Sequence, residues 1–188
     1  MHRHRISLYP ILFFLSILLF MGCGGEDLAL INQIKRLEPQ WMELSEKVSF
    51  IDRNLGITQR RYVEDLEVIN QRMRKTYGGE SVSNLRSQYR NVISERDEIK
   101  ERFEKEKGSF VETVYGFNEW ENKVMKNKVD EEEAYQTLAT YQDFYTEANS
   151  NIDDLYNDLV SNINSHNSIL RNLSRQLNLY TNFDIDPK

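Results

Sequence analysis

The chain has 188 residues, of which 29% are charged and 39% are hydrophobic, and its formal net charge at pH 7 is −6. This length allows one domain or two small ones, and the acidic balance argues against a nucleic-acid-binding protein. A single cysteine excludes an internal disulfide and a cysteine-based zinc site.

The first segment of the chain has the composition of a targeting sequence. Residues 2–5 (His-Arg-His-Arg) are basic, and residues 6–21 are nearly all apolar. A basic head followed by an apolar run is typical of a secretory signal peptide. The run is also shorter than the roughly 20 residues that span a bilayer. It ends directly before Gly22, Cys23 and Gly24.

The pair Gly22-Cys23 after an apolar run resembles the lipobox of bacterial lipoproteins. The resemblance implies that residues 1–22 are removed as a signal peptide and that the Cys23 thiol receives a diacylglycerol. In that class the new amine of the cysteine is often acylated too, for example with palmitate. Residues 23–25 are then the lipidated cysteine and a short spacer. Residues 20–21 (Phe-Met) depart from the usual pattern, and an uncleaved anchor with an incidental cysteine is the alternative.

The lipid would be the only means of attachment to a membrane. Cleavage removes Arg3 and Arg5 but no acid, so the net charge changes from −6 to −8. An acidic body is repelled by anionic lipid, whereas two or three acyl chains hold a protein firmly. Gly24 is not the Asp that retains lipoproteins in the inner membrane, so the resemblance favours the outer membrane. Residues 26–27 (Glu-Asp) weakly resemble the export tag of surface lipoproteins, so the periplasmic face and the cell surface both stay open.

Heptad spacing predicts a first helix over about residues 26–76. Its apolar a and d positions are Ile34, Leu37, Trp41, Leu44, Val48, Ile51, Leu55, Tyr62 and Ile69. This periodicity is typical of a coiled-coil helix. The d position becomes polar at Asp65. Pro39 lies on an outward position, where it either begins the regular helix or lies inside a longer one.

Two further helices follow. Residues 77–80 (Tyr-Gly-Gly-Glu) break the first pattern, and a second heptad pattern predicts a helix over about 82–127. The residues after Gly108 resemble a new helix start, yet the heptad phase passes through without a slip, which favours one continuous helix. Asp130 is a good N-cap residue, and the third pattern predicts a helix over about 131–180.

The predicted fold is all-α. Three helices of similar length with short connections favour an elongated antiparallel three-helix coiled-coil bundle, up-down-up, after the N-terminal signal peptide. Each helix would span roughly 70 Å. Residues 26–180 form this bundle, and residues 181–188 lose the pattern and are expected to be a flexible tail. Wide apolar faces also leave room for a fourth helix, so a homo-oligomer is a further hypothesis.

Antiparallel pairing about the two turns brings polar residues together in the apolar interior. This group, the polar layer, consists of Tyr62, Asp65, Arg96, Asn162 and His166. Polar core residues of this kind fix the register of paired helices at some cost in stability. Two alternatives stay open: Arg96 extends outward along its own stem, or His166 is the centre of a ligand-binding or pH-sensing site.

A second group lies nearer the other end of the bundle. This aromatic cluster consists of Trp41, Phe117, Trp120, Tyr141 and Tyr145. Aromatic core packing is the simpler interpretation. The alternative is an apolar pocket for a lipid or another hydrophobic molecule.

No sequence motif supports catalysis. There is no Glu-x-x-His pair for a di-iron site, and there is no G-x-S-x-G, Walker A, His-Glu-x-x-His or EF-hand motif. We therefore expect no enzyme activity, no catalytic residue, no metal site and no cofactor apart from the covalent lipid on Cys23.

The sequence favours a lipid-anchored, non-enzymatic helical rod of the bacterial cell envelope. Such a rod would act as an interaction or scaffold protein, with other envelope proteins as partners. One alternative is a ligand-binding module that holds a hydrophobic molecule between helices near Trp41 and Trp120. Another is a chaperone-like helical clamp for unfolded envelope proteins, although such clamps usually need basic tips or a cavity, and this chain is acidic.

Overall fold

The computed structural model describes residues 28–75, 79–178 and 185, and this part of the chain is helical apart from its turns and residue 185. The helices are α1 (Leu28–Lys75), α2 (Glu80–Val124) and α3 (Glu131–Leu177). Every pair of helices is in contact, so the predicted all-α helical bundle is confirmed. The predicted signal peptide, the lipidated Cys23 and its spacer lie outside the described residues.

The helix α1 is continuous through Pro39. A proline inside a helix removes one intrahelical hydrogen bond and crowds the preceding turn. Pro39 is exposed, whereas Leu37 and Trp41 on either side of it are buried. Packing of the apolar residues therefore maintains the helix across the proline, and the longer of the two expected helices is the one that forms.

The helix α2 is continuous through Gly108, as the heptad phase predicts. No heavy atom lies within 4 Å of the place that a Cβ would take on Gly108. Close packing therefore does not require a glycine there. After α2 the backbone turns at Asn127, which has a positive φ of 50°. Asparagine tolerates this left-handed conformation better than most residues do.

The helix α3 begins with the predicted N-cap. The Asp130 carboxylate accepts a hydrogen bond of 3.0 Å from the Glu132 backbone N–H, and three glutamates follow in the first turn. Negative side chains at this position are stabilised by the positive end of the helix dipole. The helix ends at Asn178, whose left-handed backbone (φ 56°) lets its N–H bond to the Ser174 carbonyl.

The core follows the predicted heptads. Every one of the nine a and d residues predicted for α1 is buried. The buried apolar residues form two clusters, a long one that includes Tyr62, Val92 and Ile163, and a short one that includes Ile69 and Leu170. The polar layer lies where the two clusters adjoin. No helix among the described residues has an apolar stretch long enough to cross a membrane.

Ile185 is the one residue of the predicted tail, 181–188, that the structure describes. Its side chain is 7% exposed, and its backbone is hydrogen-bonded to Asn167 of α3. Ile185 is therefore held against α3, and the flexible tail stays a prediction because the other residues of 181–188 lie outside the described part of the chain. This contact with Asn167 is long-range, and heptad periodicity does not predict contacts of that kind.

Candidate functional site

The structure places the five residues of the polar layer together. The rings of Tyr62 and His166 stack with their centroids 4.1 Å apart and an angle of 10° between their planes. The Tyr62 hydroxyl donates a 2.9 Å hydrogen bond to Asn162 Oδ1, and Asn162 Nδ2 donates one of 2.8 Å to the Val92 carbonyl. These bonds join all three helices at one level of the bundle.

Burial raises the pKa of the Tyr62 hydroxyl well above its ordinary value, against a smaller opposite effect of the Arg96 charge. The hydroxyl therefore keeps its hydrogen throughout the physiological range and remains a donor to Asn162. Burial raises the pKa of Tyr89 in the same way. Both phenols act as neutral parts of the core.

Arg96 is buried, with 3% of its surface exposed. One guanidinium nitrogen, Nη2, lies 3.0 Å from the exposed carboxylate of Asp97, and the guanidinium carbon lies 6.0 Å from the centre of the Tyr62 ring. The other two nitrogens, Nε and Nη1, have no hydrogen-bond partner within the described structure. A buried donor without a partner costs roughly 1–3 kcal/mol, so Arg96 is held there at the expense of stability.

The side chains of Asp65 and His166 face each other in the same layer. Asp65 Oδ2 lies 3.3 Å from His166 Nε2, and both side chains are almost fully buried. Neither atom has a hydrogen-bond partner among the residues that the structure describes. The contact is therefore electrostatic, and its strength depends on whether the imidazole carries a proton.

Two residues of this site were not predicted. Tyr89 donates a 3.2 Å hydrogen bond to the Tyr62 carbonyl, and its ring centroid lies 5.4 Å from that of His166. Asn167 is buried, and its Oδ1 lies 3.1 Å from His166 Nδ1. Tyr89 lies at an apolar position of the second heptad pattern, which predicts a core residue but no polar contact. The pattern assigns no role to Asn167. The available signal for Asn167 was its polar side chain directly after His166, a predicted core residue.

The five residues of the aromatic cluster also lie together, around Trp41. The Trp41 ring contacts Phe117 at 5.8 Å and Tyr145 at 5.6 Å between centroids, and it also contacts Phe110 and Phe144, which the prediction omitted. Phe117 meets Tyr141 edge-on at 5.2 Å. Aromatic pairs at these spacings are favourable beyond their buried area.

Trp120 extends the cluster toward the end of α2, with its ring 5.4 Å from that of Tyr141. The indole Nε1 atoms of Trp41 and Trp120 are buried without a hydrogen-bond partner in the described structure. Burial also raises the pKa values of Tyr141 and Tyr145. The aromatic rings thus pack against each other in the interior, while the two indole N–H groups have no hydrogen-bond partner among the described residues.

An open groove of about 620 Å³ lies beside this cluster, between α2 and α3. Its aromatic wall consists of Tyr141 and Phe144, and the rest of the lining is mostly polar. Gly116 permits the approach of Tyr141, because a Cβ on Gly116 would lie 3.2 Å from the Tyr141 hydroxyl oxygen. Near the predicted apolar pocket, the described structure has an open groove with a mostly polar lining, and the aromatic rings beside it are packed against each other.

Two carboxyl groups near the aromatic cluster, those of Glu121 and Glu38, share a hydrogen bond. Burial raises the pKa of Glu121 to about 8, the hydrogen bond and negative charge of Glu38 act in the same direction, and Lys35 opposes them. Two carboxyl groups that share a hydrogen bond favour a state in which one of them keeps its proton.

The described residues contain no group of three or more histidine, cysteine, aspartate or glutamate side chains arranged to hold a metal ion. No protein-family model, no curated protein and no solved structure matches this chain.

Proposed function

We propose that this protein is a lipid-anchored, non-enzymatic helical rod of the bacterial cell envelope that acts as an interaction scaffold. The observation that carries the proposal is the length of α1, which runs unbroken for 48 residues from Leu28, only five residues after Cys23. A helix of this length spans roughly 70 Å. A rod that begins beside its lipid can extend across much of the space above a membrane.

The three helices of the proposed rod run up, down and up. The ion pair of Lys107 with Asp52 (2.8 Å) and the bond of Lys100 to Gln59 (3.2 Å) support antiparallel α1 and α2. From the first contact to the second, the residue number falls by seven in α2 and rises by seven in α1. This is the behaviour of two helices that run in opposite directions.

Contacts of α3 support the same arrangement. Arg102 of α2 pairs with Asp158 at 2.7 Å, whereas Glu106 of α2 meets Asn151, so the two numbers move in opposite directions. Between α1 and α3, Lys47 pairs with Asp153, and Tyr62 bonds to Asn162 further along both helices. These numbers rise together, as they do for parallel helices.

In this arrangement the lipid on Cys23 and the turn before Asp130 share one end of the rod. Gly79 and the end of α3 lie at the other end, away from the membrane. The acidic surface, with a net charge of −8 after cleavage, leaves the lipid as the only attachment. We place the protein at the outer membrane, on either the periplasmic face or the cell surface, with other envelope proteins as partners.

Metabolic labelling with palmitate tests the anchor. The wild-type protein should incorporate the label and remain with the membrane fraction, and Cys23→Ser should lose both properties. Gly24→Ala is the matched control, because it changes the neighbouring spacer residue and keeps the thiol. Undiminished labelling of Cys23→Ser would rule out the proposed anchor.

Photo-crosslinking in native envelopes tests the scaffold role. A crosslinking residue at Gly79 should capture envelope proteins at the distal end, where the rod reaches them. The same residue at Lys128, in the turn before α3, is the control at the membrane-proximal end. Capture confined to Lys128 would contradict a rod that presents its distal end to partners.

A ligand-binding module is the second candidate, and one observation favours it. The indole N–H groups of Trp41 and Trp120 are buried and lack partners in the described structure, and an acceptor on a hydrophobic molecule would satisfy them. Native mass spectrometry of the purified protein is the test. A co-purifying apolar molecule that is lost in Trp41→Phe, which keeps the ring stacking but not the N–H, would support this function over the scaffold.

A further inference from the structure

The side chain of Asn167 binds the main chain of Ile185. Asn167 Nδ2 donates a 2.9 Å hydrogen bond to the Ile185 carbonyl, and Asn167 Oδ1 accepts one of 3.0 Å from the Ile185 N–H. A carboxamide has one donor end and one acceptor end, so it satisfies both main-chain groups of a single residue. This pattern resembles the exchange of two hydrogen bonds between paired residues of neighbouring β-strands, and it recognises the main chain whatever the side chain is.

The side chain of Ile185 adds an apolar anchor to this recognition. It is 7% exposed and belongs to the long core cluster. In the sequence Ile185 stands between Asp184 and Asp186, which makes it the apolar residue of an acidic stretch. Removal of this apolar side chain from water favours the contact.

Asn167 also connects Ile185 to the polar layer. The two bonds to Ile185 fix which end of the Asn167 carboxamide is oxygen. That oxygen lies 3.1 Å from His166 Nδ1, within hydrogen-bond distance of the ring. His166 in turn stacks on Tyr62. The contact at Ile185 is thereby connected through Asn167 to the ring of a buried histidine.

The C-terminal segment of the same chain is long enough to reach this position. From Asn178 back to Asn167 the distance along α3 is roughly 17 Å, at 1.5 Å per residue. The seven residues from Asn178 to Ile185 span up to roughly 24 Å when extended. A contact within one chain is therefore possible without any partner.

We propose that a docking site for a protein main chain lies beside the polar layer, formed by Asn167 and the surrounding core, and that Ile185 of this chain occupies it. The site does not depend on the proposed anchor or scaffold role. Its consequence is that Ile185 is bound to the bundle beside His166, and that release of Ile185 changes the hydrogen bonding next to the polar layer.

Amide hydrogen exchange measured by NMR on the full chain tests the docking. In the wild-type protein the Ile185 amide should exchange at least about tenfold more slowly than in an unstructured peptide, since it is buried and bonded. Asn167→Ala should abolish that protection. Asn172→Ala is the matched control, because Asn172 is an exposed asparagine on the same helix, and it should leave the exchange rate unchanged.

A second variant separates docking from a general loss of stability. Ile185→Pro removes the N–H that Asn167 accepts and lies outside all three helices. It should leave the helical content unchanged and should alter the ¹⁵N signals of the His166 ring, with those of His2 or His4 as references where the leader is retained. Unchanged His166 signals, or equal Ile185 exchange in Asn167→Ala and wild type, would overturn the proposal. Protection that falls on dilution, together with a dimer in sedimentation, would also overturn it, because a second copy would then supply Ile185.

Discussion

The aromatic cluster and the polar layer are both buried between the same three helices, but their side chains contact each other in different ways. In the aromatic cluster, Trp41 lies within 6.0 Å of four other rings, and only two indole nitrogens lack partners. In the polar layer, the buried Arg96, Asp65 and His166 each keep at least one polar atom without a hydrogen bond to any described residue. Burial of apolar area stabilises the fold in the aromatic cluster, whereas the unpartnered polar atoms of the polar layer destabilise it.

This difference indicates a division of roles along the bundle. Apolar and aromatic residues tolerate a shift by one heptad, because another apolar position takes the place of the first. The bond between Tyr62 and Asn162 does not tolerate such a shift, since its loss would leave both groups buried and unpaired. We therefore expect the aromatic cluster to stabilise the bundle and the polar layer to select one register.

The largest expected effect is the loss of the central ring of the aromatic cluster. Trp41→Ala should lower the free energy of unfolding by about 3–5 kcal/mol, the usual cost of emptying such a core position. Chemical denaturation followed by circular dichroism measures it. Tyr115→Ala is the control, because Tyr115 is an aromatic residue with 54% of its surface exposed. Equal, small effects of the two variants would mean that the cluster does not stabilise the bundle.

The opposite sign is expected in the polar layer. Arg96→Leu removes a buried charge with two unpartnered nitrogens and should raise the free energy of unfolding by about 1–2 kcal/mol. Arg90→Leu, at an exposed position of α2, should change it little. Chemical denaturation followed by circular dichroism measures both changes in the free energy of unfolding. A marked loss of stability in Arg96→Leu would show that the guanidinium contributes more through its contacts with Tyr62 and Asp97 than its burial costs.

A smaller, pH-dependent effect is expected at the aromatic end. Because the fold raises the pKa of Glu121 from 4.5 to about 8, it favours the protonated carboxyl. That stabilisation is complete below the unfolded pKa and is lost as the pH rises through 8. The melting temperature should therefore fall between about pH 5 and about pH 9 by a few degrees more in wild type than in Glu121→Gln. The exposed neighbour provides the control: Glu119→Gln should keep the full wild-type decrease, and an identical decrease in Glu121→Gln would contradict the raised pKa.

The smallest effect is expected between the two regions, at Gly108 of α2. Gly108→Ala places a methyl group where no atom lies within 4 Å, so helix propensity alone should stabilise the protein by about 0.5–1 kcal/mol. Gly116→Ala is the comparison, since there the new Cβ would lie 3.2 Å from the Tyr141 hydroxyl and part of the gain should be lost. Thermal melts distinguish them. Destabilisation by Gly108→Ala would indicate that α2 needs a flexible point there.

Much of this architecture could be predicted from the sequence, because heptad spacing depends only on helix geometry. The pattern identified the buried positions of α1, and antiparallel pairing predicted the contact of Tyr62 with Asn162 and that of Trp41 with Phe117. The N-cap at Asp130 was also predictable, since capping is a local property.

The remaining details depend on interactions that periodicity does not contain. The contact of Asn167 with Ile185 joins residues 18 apart in the sequence, and no heptad repeat encodes it. The pattern also did not show whether Arg96 is buried or extends outward, because the stem of an arginine permits both. Burial of Arg96 against the Tyr62 ring decides this in the structure.

The central claim, a rod anchored by its lipid with the α2–α3 turn at the membrane, has one direct test. Energy transfer is measured from a single dye, on Gly79→Cys or on Lys128→Cys, to acceptor lipids in vesicles that hold the anchored protein; the lipid on Cys23 blocks the native thiol. The account predicts strong transfer from Lys128 and weak transfer from Gly79, which should lie roughly 70 Å farther from the bilayer. Equal transfer from the two positions would contradict it.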